Sequence, residues 1–141
     1  MSFLVKIITC VLGTLGFCVI LGISSNKIIC ATAGGAVSAV ASVLLMNRGY
    51  GIFLSTFFAM TAVCVYSEIF ARLLKTPASV ILAPATVPLL PGGSLYYMMS
   101  YLVRFDYGRF VHYAKETVLT GFGIALGTVF VSLIVKIVKR P

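Results

Sequence analysis

The amino-acid sequence predicts an all-α fold, a polytopic bundle of about five transmembrane helices whose fourth is broken by proline and glycine. Composition carries the first part of that expectation. Hydrophobic residues make up 60% of the 141-residue chain, 10% is charged, and mean hydropathy is +1.11, far from an average soluble domain. The spacing of the charges carries the second. Residues 7–26, 28–47, 49–67, 76–103 and 117–135 contain no Asp, Glu, Lys, Arg or His. Four of these five runs are 19 or 20 residues long, which at about 1.5 Å per residue matches a hydrocarbon core of about 30 Å. The run 76–103 has 28 residues, too many for one straight span, and it is the one that is interrupted.

Expected spans cover residues 3–24, 28–47, 50–70, 78–103 (broken) and 117–136, making residues 1–141 a single transmembrane domain. The first follows Lys6 and has the outline of a signal peptide, but no clear A-x-A-like cleavage site follows it, so it is read as a span. The second carries small residues at helical spacing, Ala31, Gly35 and Ala39, and again Gly34, Ser38 and Ser42. The fifth carries Gly123 and Gly127. Such spacing lets backbones approach closely, either within the chain or against another one. Short connections force the first three spans to be antiparallel neighbours. Residues 104–116, RFDYGRFVHYAKE, mix charge with aromatics and read as an interfacial turn.

A net charge of +8 raises nucleic acid as a partner. The basic residues argue against it, because they stand singly at the ends of apolar runs. Lys27, Arg48, Arg72 and Lys75 fit headgroup anchors of a lipid bilayer. Cys10, Cys18, Cys30 and Cys64 lie inside spans at no metal-ligand spacing and read as small packing residues. There is no catalytic triad, metal-ligand set or phosphate loop, so no enzyme activity, cofactor or metal is expected.

The break lies in ILAPATVPLLPGGSLYYMM, residues 81–99. Pro84, Pro88 and Pro91 lack an N–H, and in a continuous helix they would orphan the carbonyls of Val80, Pro84 and Val87. Orphan groups in hydrocarbon cost several kcal/mol each, so irregular backbone belongs where protein buries it or a cavity hydrates it. The segment therefore reads as part of a substrate pathway, against the plainer reading of a kinked helix repaired by its neighbours. After Gly92 and Gly93, Ser94 is a good N-cap, and a half-helix starting there would point free N–H groups at an anion. Ser94, Tyr97, Tyr101 and Arg104 share one face of that helix. This suits a small polar substrate with a carboxylate, or else an aromatic belt with a snorkelling arginine. Glu68, near the end of the third span, is a candidate for proton coupling or for a helical pair with Arg72. His112 and Glu116 are four apart, with no third ligand beside them for a metal.

Five crossings put the termini on opposite sides and cannot divide into two equal halves, so a second membrane unit is expected, a copy of this chain or another subunit. Basic residues divide five against six between the two sides. The cluster at 136–140 favours a cytoplasmic C-terminus.

The stretch APATVPLLPGGSLYYMM resembles a signature of the threonine/serine exporter family, a proline-containing span ending in a P-G-x-x-x-Y-like element, here Pro91, Gly92 and Tyr96. Length, span count and the basic tail are similar to the small membrane-only subunit of that family's split form. The resemblance implies a secondary transporter in a bacterial inner membrane. It implies export of threonine and serine, or of dicarboxylates, driven by the proton gradient. It also implies a larger partner with a cytosolic N-terminal domain and about five spans. The competing reading is a non-transporting scaffold or regulatory subunit of a membrane complex.

Overall fold

A computed structural model describes residues 3–138, and every element among them is helical. Three helices pack as an antiparallel meander: α1 (Phe3–Ile20), α2 (Ser25–Asn47) and α3 (Ile52–Leu73). The broken segment follows as α4 (Ala78–Ala85), a single 3-10 turn (Val87–Leu89) and α5 (Gly92–Val103). The chain then enters α6 (Tyr107–Val138), of 32 residues.

Small residues set the contacts. A Cβ added at Gly34 would lie 2.9 Å from the Ala85 Cβ and 3.1 Å from the Tyr66 ring, so α2 meets α3 and α4 there at backbone range. Gly35 faces the buried Thr14 of α1. Gly123 and Gly127 seat α6 on α3, where an added Cβ would come within 3.0 Å of the carbonyls of Phe53 and Phe57 respectively. The small-residue rows of the second and fifth spans are thus used within the chain. Ala31, Ser38 and Ala39, from the same rows, are buried as well. The hydroxyls of Thr14, Ser38 and Thr56 donate to carbonyls three or four residues back in their own helices, which removes the cost of burying them. Tyr66 instead reaches across to donate to the Cys30 carbonyl, 3.0 Å away.

The pairing of Gly123 with Phe53 and of Gly127 with Phe57 makes α6 run parallel to α3. Segment 74–106 therefore carries the chain from one end of the bundle back to the other. It does not turn round and return to the end it left. Because Gly123 lies opposite the start of α3, residues 107–122 form the part of α6 that precedes its packing along α3. α5 packs along them, and Gly51 and Ile52 border the same cavity as His112, Lys115, Glu116 and Leu119.

One expectation changes. Residues 104–116 are not a turn: Phe105 adopts φ 58° in a short reversal, and Asp106 starts the helix by accepting the Arg109 N–H at 3.2 Å. Among the described residues, α2, α3 and α6 are each long and apolar enough to cross a membrane, and the bent pair, taken as one span, makes a fourth. The first helix, α1, is apolar over Ile7–Ile20.

Candidate functional site

The break is built by local chemistry. Pro84 is accommodated in the last turn of α4, fully buried, while Ile81 and Ala85 beside it are also sealed from solvent. Beyond it the chain tightens into a 3-10 turn containing Pro88, where shorter i→i+3 bonds replace α-helical ones. The Val87 carbonyl, expected to be an orphan, accepts the Leu90 N–H at 3.2 Å, and the Thr86 hydroxyl donates to the Ala83 carbonyl at 2.9 Å. Leu90 is extended, as the residue before Pro91 must be. The two halves of the segment are bent by 50°.

Depth is the informative coordinate. Leu89 is buried against Ala59, Met60 and Cys64, half-way along α3. The irregular backbone thus lies at mid-bundle, walled by α1, α2 and α3. Its second half leaves that environment, for no residue of α5 is buried and its packing is against α6.

The half-helix starts two residues earlier than expected, at Gly92 with Pro91 before it, so Ser94 is not the cap. Its hydroxyl donates instead to Glu116 Oε2 of α6 at 3.2 Å. Glu116 Oε1 lies 3.4 Å from His112 Nε2. His112 and Glu116 border a cavity of about 350 Å³ lined also by Gly51, Ile52, Lys115 and Leu119, within the size range of small-ligand pockets. Gly92 and Gly93 are exposed, and a Cβ at either would meet nothing within 4 Å.

Of the expected stripe, Ser94, Tyr97 and Tyr101 face α6 together. Tyr97 and Tyr101 stack on Tyr113 at ring separations of 5.3 and 5.6 Å. Arg104 does not join them; it is the exposed residue ending α5. The cation there is Arg109, whose guanidinium carbon lies 5.4 Å from the Tyr101 ring centre and whose Nη1 donates to the Tyr101 hydroxyl at 3.5 Å. Tyr96 is exposed, tilted edge-on to Tyr97. Tyr113, Arg109 and the Ser94–Glu116 link were invisible as a set in the sequence. They meet only because the reversal at 104–106 folds α5 back along α6, pairing positions equidistant from it.

Glu68 is separate from this cluster. It stands near the other end of α3, half-buried, at the edge of a groove between α3 and α6. Among the described residues no group of three His, Cys, Asp or Glu could hold a metal ion.

A helical membrane protein with a broken span at mid-bundle and a polar cluster flanking the break has the architecture of a transporter. The comparison with protein families makes this specific: the threonine/serine exporter, ThrE, family matches residues 6–134. The chain belongs to that family, one of membrane transporters and not of enzymes. No curated protein and no solved structure matches it.

Proposed function

We propose that the chain is the membrane-only half of a secondary transporter that exports threonine and serine, or dicarboxylates, from a bacterial cell across its inner membrane. The observation carrying this reading is the break at mid-depth. The 3-10 turn Val87–Leu89 and the extended Leu90, between Pro84 and Gly92, place irregular backbone beside the centre of α3, the depth at which transporters hold substrate between half-helices. From there α5 leads to Ser94, Glu116, His112 and the tyrosine stack. A zwitterionic metabolite leaving the break would meet a carboxylate for its ammonium group, with Lys115 and Arg109 near for its carboxylate. Tyr96, on the outer side of α5, and Arg104 at its end stand at the exit of this pathway. Glu68, at the opposite end of α3, is the candidate for coupling to protons. The larger partner would supply the second half, and the C-terminus of α6 would face the cytoplasm.

Export of labelled threonine from cells expressing the chain with its partner tests this. Gly92→Ala and Pro91→Ala are clean probes, because neither side chain is packed in the bundle core and an added Cβ at Gly92 meets open space. Each is expected to lower export by about tenfold or more with membrane insertion unchanged, the loss of roughly 1.4 kcal/mol of barrier stabilisation. Unchanged export in both would reject the pathway and leave the scaffold reading.

A further inference from the structure

The geometry points to a second site, apart from the cluster at Ser94 and Glu116: we propose that the groove between α3 and α6 binds one anionic phospholipid, its acyl chain along the groove and its phosphate at Arg72 and Lys75. The groove holds about 690 Å³ and is walled by Val65, Ile69, Phe130, Val131 and Ile134, with Glu68 and Arg72 at one end. A second cavity of about 430 Å³ shares Glu68 and Arg72 and continues over Lys75, Thr76 and Pro77. One is apolar and the next is polar, so together they have the division of an amphiphile.

Length fits as well. The groove follows α3 from Thr61 to Leu73, about 18 Å at the helical rise, close to the ~15 Å of one leaflet's hydrocarbon. The polar end coincides with the basic end of α3, where headgroups lie. Two cations against one carboxylate leave that end positive, which favours an anionic lipid over a zwitterionic one.

The turn itself is specialised. Lys75 adopts φ 52°, at the position after a helix where glycine is the usual residue. The Thr76 N–H donates to the Ala71 carbonyl at 3.0 Å, which closes the helix end around it. The Thr76 hydroxyl, in the lining of the polar cavity, is buried and has no hydrogen-bond partner among the described residues.

Native mass spectrometry of the full chain in mild detergent, offered equal phosphatidylglycerol and phosphatidylcholine, tests the site. One phosphatidylglycerol is expected to be retained preferentially. Arg72→Gln and Lys75→Gln should each weaken retention roughly fivefold, as expected for one headgroup cation. Ile134→Trp, which fills the groove, should abolish retention, and Leu12→Trp on the outer face of α1 should not. Equal retention of both lipids, indifference to both cation variants, or release without any lipid overturns the proposal. So does a partner helix that crosslinks into the groove in place of lipid. A second readout does not require Ile134→Trp to fold. The chain has no tryptophan, so Leu73→Trp at the groove mouth is a lone fluorophore. Brominated phosphatidylglycerol should quench it more than brominated phosphatidylcholine, and equal quenching again overturns the site.

Discussion

Single residues in this protein matter mainly through how closely they let helices approach. Gly127 is a clear case, since an added Cβ would stand 2.9 Å from the Met60 Cβ and 3.0 Å from the Phe57 carbonyl. Backbone cannot yield as a flexible side chain does, so Gly127→Ala is expected to destabilise the bundle by about 1–3 kcal/mol. Gly121, one turn and a half away on the same helix, has nothing within 4 Å of an added Cβ. Gly121→Ala should leave the melting temperature in detergent unchanged or slightly raised, and a fall equal to that of Gly127→Ala would contradict the packing described. Tyr66 offers a complementary test across α2 and α3. Removing its hydroxyl in Tyr66→Phe abandons the 3.0 Å bond to the Cys30 carbonyl and should cost about 1 kcal/mol by the same measurement.

At the scale of elements, the broken segment joins two environments. Its first half is held by Ile81, Pro84, Ala85 and Leu89 in the core, while α5 has no buried residue and depends on α6. The Ser94–Glu116 bond and the Tyr97, Tyr101 and Tyr113 stack are what fasten α5. Glu116→Gln retains the shape and weakens the acceptor, whereas Ser94→Ala deletes the donor. If the two act through one bond, the double variant should impair export no more than the worse single one. Additive losses would mean that they serve export separately. Proline spacing made the fault readable in the sequence, because a missing N–H is a property of the residue. Where α5 docks was not readable, because that depends on a reversal at 104–106 which Phe105 adopts against its intrinsic preference.

At the scale of the whole molecule, the parallel course of α3 and α6 decides topology. The turn at Gly49 and the turn before Gly108 fall at one end of the bundle, and Lys75 at the other. Gly49→Cys and Gly108→Cys should therefore react with an impermeant thiol reagent from the same side of the membrane, and Lys75→Cys from the opposite side. Labelling of Lys75→Cys together with Gly108→Cys would mean that segment 74–106 re-enters instead of crossing. The same arrangement leaves the long outer faces of α1 and α6 exposed with apolar side chains, as a membrane bundle requires. Affinity purification from native membranes tests the expected larger partner, and recovery of this chain alone would weaken the two-subunit reading.

Sequence alone determined the helical class, the membrane setting, the place of the break and the family resemblance. Each follows from counts and short spacings: hydropathy, charge-free runs, three prolines and two glycines. It also marked Gly34, Gly35, Gly123 and Gly127 as contact residues, since small side chains at i and i+4 define a helix face without knowledge of the partner. Tertiary structure alone decided which helix each face meets, that α6 runs parallel to α3, and that Arg109 and not Arg104 lies over Tyr101. The reason is physical. Inside a membrane all helix faces are apolar, so hydrophobicity cannot say which face meets which neighbour, and that choice is left to the fit of side chains in three dimensions.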